Sequence, residues 1–182
     1  MAVIVGSSAR ARRGRGAAEE RAGKPRVAYG SGDAEARLAG FIAKLDAADQ
    51  KLIRAVRKAM RKRFPSAHEL VYDNYNFFVI GYSPTARPSD AILSIAAGSS
   101  GVGLCFIQGA KLPDPTNALL GSGRQTRFIR LPSVDVLGRP EVGALLDAAV
   151  ARSKTPFLAA GRGTLIIRSV SAKQRPRRRT RA

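Results

Sequence analysis

The sequence predicts an α+β domain in which helices pack on one face of a compact, curved antiparallel sheet, with disordered basic tails at both ends. Three observations support this class. Apolar residues recur at helical spacing before residue 65, short β-branched and aromatic segments follow from residue 69, and both termini are rich in arginine but poor in apolar residues. Because helices and strands are segregated along the chain, a doubly wound sheet is not expected.

Two helices open the predicted domain, and a third lies near its end. The first begins at Asp33, which is placed to cap it, and the second begins at Asp46 or Asp49 and ends before Pro65. Pro140 opens the third helix. The second helix has cations on the faces that its apolar stripe leaves free: Lys51, Arg54, Arg57, Lys58, Arg61 and Lys62.

The predicted strands are short and separated by turn-forming residues. They lie within residues 70–83, 90–98, 101–109, 124–133 and 163–170. Residues 98–101 (GSSG) predict a tight hairpin loop. Because Pro113 and Pro115 forbid a continuing strand, we expect a loop there, with one helical turn at Asn117–Leu120.

Charge is concentrated at the two ends of the chain. The formal net charge is +19, of which the segments 1–26 and 162–182 carry +13. We therefore divide the 182 residues into a disordered tail (1–32), one domain (33–172) and a second disordered tail (173–182). Such tails favour non-specific contact with RNA or DNA phosphates, or serve only to solubilise the chain. The candidate polyanion contacts are Arg10, Arg12, Arg13, Arg15, Arg175, Arg177, Arg178, Arg179 and Arg181.

Three segments of the domain resemble one protein family. Residues 71–96, residues 106–133 with their GAKLPDP and LLGSG motifs, and residues 165–178 are similar to the domain of unknown function 1801 family, also called YdhG-like. The resemblance implies a compact frataxin-like fold, with a sheet backed by two helices, and no established catalytic residues or cofactor. Where the family commonly has Arg-His, this chain has Arg127-Phe128, so a histidine-dependent role does not carry over.

Two groups of residues are candidates for ligand binding. Gly121 and Gly123 allow backbone N–H groups to converge on an anion, and Arg124 and Arg127 add charge. The alternative is that these glycines only make turns and the arginines are solvated. The second group is an aromatic pair, Tyr72 and Tyr75, which either lines a pocket or belongs to the core and a sheet edge.

The sequence predicts no catalytic, cofactor or metal site. The single histidine, His68, and the single cysteine, Cys105, are far apart and form no recurring ligand spacing. Because one cysteine makes no intramolecular disulfide and no apolar run is long enough to span a membrane, we expect a cytoplasmic protein without a membrane partner. An organellar presequence at the N-terminus remains an alternative.

We therefore expect a non-catalytic binding domain that contacts nucleic acid through its tails and has an unidentified protein or small-molecule ligand. Two alternatives remain open. The first is a frataxin-like iron chaperone or an enzyme that uses residues 106–131, and the second is a protein-interaction adaptor. A chain trimmed to residues 27–173 is expected to stay folded, because the removed segments lack an apolar pattern.

Overall fold

The computed structural model describes residues 31–178, and residues 1–30 and 179–182 lie outside this described part. Its elements follow the order α, α, five β, α, β, which confirms the α+β class. The helices are α1 (Ser31–Ile42), α2 (Ala47–Arg63) and α3 (Pro140–Ala151), and the strands are β1 (His68–Asp73), β2 (Phe78–Ser83), β3 (Leu93–Gly98), β4 (Gly101–Phe106), β5 (Arg127–Arg130) and β6 (Leu165–Val170).

The helices begin and end close to the predicted positions. Asp33 lies in the first turn of α1, just inside its start, so it does not cap the helix. Asp46 has the extended backbone of an N-cap residue and precedes α2. Pro140 occupies the first turn of α3, where its missing N–H costs no hydrogen bond.

The six strands form one sheet in the order β5-β4-β3-β2-β1-β6. Four neighbouring pairs are antiparallel, whereas β1 and β6 are parallel. The prediction of a purely antiparallel sheet is therefore wrong at one edge. The physical reason is the crossover through α3, which returns the chain to the sheet in the direction of β5 and places β6 parallel to β1.

Two hairpins connect the central strands. Gly98 pairs with Gly101 across Ser99 and Ser100, which confirms the predicted hairpin. Gly101, directly after the loop, has a φ of 97°, a left-handed conformation that glycine adopts without strain. The segment predicted as one β region at 70–83 divides into β1 and β2. The chain reverses there at residues 74–77, where the Asn74 N–H donates to the Phe77 carbonyl oxygen.

The predicted helical turn at Asn117–Leu120 is wrong. The carboxylate of Asp114 accepts hydrogen bonds from the backbone N–H groups of Ala118 and Leu119 instead. Asn117 has a φ of 53°, which lies in the left-handed region, and Leu120 then forms an isolated bridge with Phe128 beside β5. The Asp114 side chain therefore holds an irregular loop in place of a helix.

The two faces of the sheet differ in what covers them. One face carries a row of core residues that pack with the helices: Val71, Ile80, Ile95, Leu104 and Ile129. The alternate residues of the same strands point to the opposite face, where a second row lies outside that core: Tyr72, Val79, Ala96, Gly103 and Arg130. These five residues are half-buried or exposed, and we call the surface that carries them the open face.

Candidate functional site

Helix α2 carries its cations on two sides. Ile53, Val56 and Met60 form its buried face. At 3.6 residues per turn, four exposed cations point away from that face. We call these four residues the basic stripe: Lys51, Arg54, Lys58 and Lys62.

The basic stripe has no carboxylate partner among residues 31–178. The ion pairs that α2 makes within this range involve Arg57, Arg61 and Arg63 instead. Arg54 donates a hydrogen bond to the neutral side chain of Gln50, at 3.4 Å. The charge of the stripe is therefore available to an external anion, and counterion release favours a polyanion.

The cations on the side of α2 that faces α1 are paired within the fold. Arg57 donates two hydrogen bonds to Glu69, at 2.8 and 2.6 Å, and two to Glu35, at 2.8 and 2.7 Å. Burial favours the neutral form of Arg57, but the hydrogen bonds to Glu69 and Glu35 raise its pKa overall. The hydrogen bond with Arg57 lowers the pKa of Glu35. Arg57 thus joins α1, α2 and β1, and its charge is not available at the surface.

Tyr82 lies next to this cluster, directly across the β1–β2 ladder from Glu69. Its side chain is fully buried, and its hydroxyl has no hydrogen-bond partner within the fold as described. Burial and the nearby Glu69 charge raise the pKa of Tyr82 well above its ordinary value. The phenol therefore stays neutral and does not act as a base at physiological pH.

The chain remains packed on the domain beyond residue 173, which corrects the expected start of the C-terminal tail. Arg177 donates to the carboxylate of Asp73 at 2.7 Å, and Lys44 contacts the other carboxylate oxygen at 2.5 Å. The side chains of Arg177 and Asp73 are 2% and 0% exposed. Gln174 adds a hydrogen bond to the Asp73 backbone oxygen at 3.0 Å. The C-terminal segment packs on the domain because the buried Asp73 carboxylate needs a cation, which this segment supplies.

Arg177 is therefore not a surface contact for a polyanion. Its Nε and Nη1 atoms are buried without an acceptor among the described residues. Burial lowers the pKa of Arg177, although the nearby negative charge of Asp73 acts in the opposite direction. Arg175 and Arg178 are exposed, and the Arg175 guanidinium lies 5.8 Å from the ring centroid of Tyr75. The remaining candidate polyanion contacts lie outside the described residues: Arg10, Arg12, Arg13, Arg15, Arg179 and Arg181.

The predicted anion loop at residues 121–127 uses one of its arginines internally. Arg127 donates hydrogen bonds to the backbone oxygens of Gly123 and Thr126. Gly121 has a φ of 102°, so a turn requires glycine there, whereas Gly123 does not have a positive φ. Arg124 is exposed. The arrangement supports the turn interpretation for Gly121 and leaves Arg124 as the surface cation of the loop.

The two predicted pocket tyrosines occupy different positions. Tyr72 lies half-buried on the open face, near Arg168, and Tyr75 is exposed in the turn between β1 and β2. Burial raises the pKa of Tyr72, although Arg168 opposes this. Neither tyrosine lines the cavity of about 520 Å³ that lies between the C-terminal end of α3 and the loops that contain Asp90 and Lys111.

His68 and Cys105 have ordinary structural surroundings. The Nδ1 atom of His68 accepts a hydrogen bond from the Thr164 backbone N–H at 3.3 Å and lies 2.7 Å from the Thr164 hydroxyl. Burial raises the pKa of the Cys105 thiol, although a hydrogen bond from Ser94 opposes this, so the thiol stays protonated at neutral pH.

Across residues 31–178, no three His, Cys, Asp or Glu side chains gather into a group that could hold a metal ion. None of the described helices combines the length and the apolar character that crossing a lipid bilayer demands.

Comparison with known proteins gives no relative for this chain: no family model, no curated protein and no solved structure matches it.

Sequence reasoning named the cations of α2 but did not recognise the basic stripe. The signal was present, because Lys51, Arg54, Lys58 and Lys62 follow one another at intervals of three and four residues, which places them on one helix face. Which cations are neutralised depends on Glu35 and Glu69, and their approach to α2 is a tertiary contact.

Proposed function

We propose that this protein is a non-catalytic binding domain that contacts RNA and DNA by charge, without reading their sequence. The observation that supports the proposal best is the basic stripe, four exposed cations on one helix face with no carboxylate partner in the described part of the chain. Arg175 and Arg178 add exposed charge at the C-terminal end. The formal net charge of +19 favours association with any polyanion.

The stripe suits a nucleic-acid backbone in length and chemistry. At a rise of about 1.5 Å per residue, it extends over about 16 Å from Lys51 to Lys62. A nucleic-acid strand presents one phosphate per about 3.4 Å of duplex axis, so the stripe can meet several phosphates at once. Three of its four members are lysines, which act as mobile point charges and make no bidentate contact with a base. The predicted binding is therefore non-specific.

The remaining parts of the proposal rest on the sequence. We assign the domain to the YdhG-like, frataxin-like group on the motifs described above, and the α+β architecture supports that assignment. The lone cysteine supports a cytoplasmic location. The iron-chaperone alternative is disfavoured, because Coulomb repulsion from the basic stripe opposes metal ions at the exposed face of α2.

The test compares two charge-matched triple variants of the full chain. Lys51→Gln, Lys58→Gln and Lys62→Gln remove three of the four charges of the stripe, whereas the control replaces exposed cations elsewhere: Lys111→Gln, Arg139→Gln and Lys154→Gln. Fluorescence anisotropy measures binding to a labelled RNA and to a labelled DNA duplex at physiological salt.

The stripe variant should bind both ligands roughly 10- to 100-fold more weakly than the native chain, as expected for three lost phosphate contacts. The control should change affinity much less, since its cations lie elsewhere. Equal losses in the two variants would show that net charge acts without a defined surface. An absence of binding by the native chain would contradict the proposal itself.

A further inference from the structure

The aromatic residues of the domain fall into two groups. One group belongs to the core between the helices and the sheet or packs against it: Phe41, Phe64, Phe78, Tyr82, Phe106 and Phe157. Every other aromatic residue within residues 31–178 lies on the open face or in the β1–β2 turn at its end: Tyr72, Tyr75, Phe77 and Phe128. Tyr75 and Phe77 are 49% and 47% exposed. The aromatic side chains that the core does not use therefore lie on the open face or at the β1–β2 end of the sheet.

Contacts with glycines place two of these rings against the open face. A Cβ atom added to Gly98 would lie 3.0 Å from the Cδ1 atom of the Phe77 ring, and one added to Gly103 would lie 3.8 Å from the Phe128 ring. Both glycines occupy open-face positions, because they alternate with the core residues of β3 and β4. Strand spacing separates the two glycines by about 8 Å. This exceeds the stacked-base repeat of about 3.4 Å, so the rings suit bases that are separated from one another.

Three of the four aromatic residues have an arginine partner. The Arg130 guanidinium lies 6.0 Å from the Phe128 ring centroid, and Arg175 lies 5.8 Å from that of Tyr75. Tyr72 has Arg168 as its neighbouring cation. The strands contribute no acid to this face.

The acidic residues of the sheet lie on the other side. Glu69 and Asp73 are the acids of the strands, and both are buried on the helix-covered face and paired with cations. Among the described residues, the open face thus combines aromatic rings with positive charge that no carboxylate pairs, which complements a phosphate backbone that carries accessible bases.

We infer that the open face and the β1–β2 turn at its end bind single-stranded nucleic acid, with unpaired bases stacked on Phe77, Phe128 and Tyr75 and phosphates held by Arg130, Arg168 and Arg175. This inference rests on the proposed function and names its substrate class. Bases stack on aromatic side chains without sequence preference, and open sheet faces recognise splayed, unpaired bases in this manner. A duplex keeps its bases stacked inside and does not offer them to such a surface. The basic stripe lies on the helix side of the sheet, so the two surfaces can be changed separately.

The test uses the full chain with Phe77→Leu and Phe128→Leu, which keep apolar bulk but remove the ring. Leu158→Ala serves as the control, since this side chain is 72% exposed and lies outside the strands. Binding to a labelled 15-nucleotide oligouridine and to a 15-base-pair DNA duplex is measured by anisotropy over a range of salt. We expect each ring variant to lose about fivefold or more in affinity for the oligouridine. Duplex affinity and both salt slopes should stay unchanged, as should all values for Leu158→Ala.

The possible outcomes separate this inference from the proposed function. Unchanged oligouridine affinity in Phe77→Leu, together with weaker binding by the stripe variant, would overturn the inference and leave the proposed function intact. An absence of binding by the native chain would overturn both. If sedimentation shows a dimer that Phe77→Leu dissociates, a second copy of the chain covers the face and the inference is wrong. If Phe128→Leu melts at a lower temperature, Phe77→Leu and Arg130→Gln decide the question, and both should weaken oligouridine binding.

Discussion

Replacing Arg177 by alanine should destabilise the domain, although the residue is only five positions from the C-terminus. Arg177 and Asp73 form an ion pair at 2.7 Å whose two side chains are almost completely buried. Removing the arginine leaves a buried carboxylate with one partner fewer, and a buried charge that loses its partner carries a large desolvation penalty.

The size of the effect follows from the surroundings of the pair. Breaking a buried ion pair from one side typically costs about 3–5 kcal/mol. Two features favour the lower end: Lys44 remains 2.5 Å from Asp73, and the substitution also removes two buried guanidinium nitrogens that have no acceptor. We therefore expect a loss of about 3 kcal/mol in the free energy of unfolding. For a domain of this size, that corresponds to a fall of roughly 6–12 °C in Tm.

Urea unfolding followed by circular dichroism measures this change. The matched control is Arg178→Ala, because Arg178 is exposed and should contribute within about 0.5 kcal/mol. A double variant, Asp73→Asn with Arg177→Met, should recover most of the lost stability, since neither charge is then buried unpaired. Equal free energies of unfolding for Arg177→Ala and Arg178→Ala would refute the reasoning. A chain trimmed to residues 27–173 loses the same ion pair. We therefore predict that the trimmed chain is less stable than the full chain.

Two further predictions concern the packing of the sheet edge and the charge cluster of α2. Gly163→Ala should destabilise the domain strongly, because its Cβ would collide with the backbone oxygen of Ala67. Gly143→Ala meets no atom within 4 Å and should stabilise α3 by up to about 1 kcal/mol. Equal Tm values for the two variants would contradict this. Glu35 has a pKa below its ordinary value of 4.5, so its stabilising contribution is present above that value and is lost as the pH falls through the lower folded-state pKa. Glu35→Gln should therefore lower stability more at about pH 7 than at about pH 3 in urea titrations, and an equal loss at both pH values would argue against the ion cluster.

Local patterns predicted most of the elements because local chemistry determines them. Apolar spacing and Pro140 placed α3, and the pair of glycines around Ser99 and Ser100 placed the β3–β4 hairpin. The parallel pairing of β6 with β1 was missed, because the two strands lie about 95 residues apart and local alternation does not identify the partner of a strand.

The candidate sites were less predictable because they depend on long-range contacts. In the sequence, Arg177 does not differ from the other arginines of the C-terminal segment. Its role depends on Asp73, which lies 104 residues away. The acids Glu69 and Asp73 lie two residues before and two residues after Val71, so all three share the core face of β1, which is an unusual position for a carboxylate. This spacing was the signal in the sequence that buried cations would be needed.

The salt dependence of binding tests most directly the claim that this protein holds nucleic acid by charge through α2. The slope of log affinity against log salt concentration should be less steep by about 2–3 for the stripe variant, at 0.7–0.9 for each of three phosphate contacts. The control with Lys111, Arg139 and Lys154 replaced should keep the native slope. A native slope in the stripe variant would contradict the account, because it would mean that the cations of the stripe release no counterions and contact no phosphate.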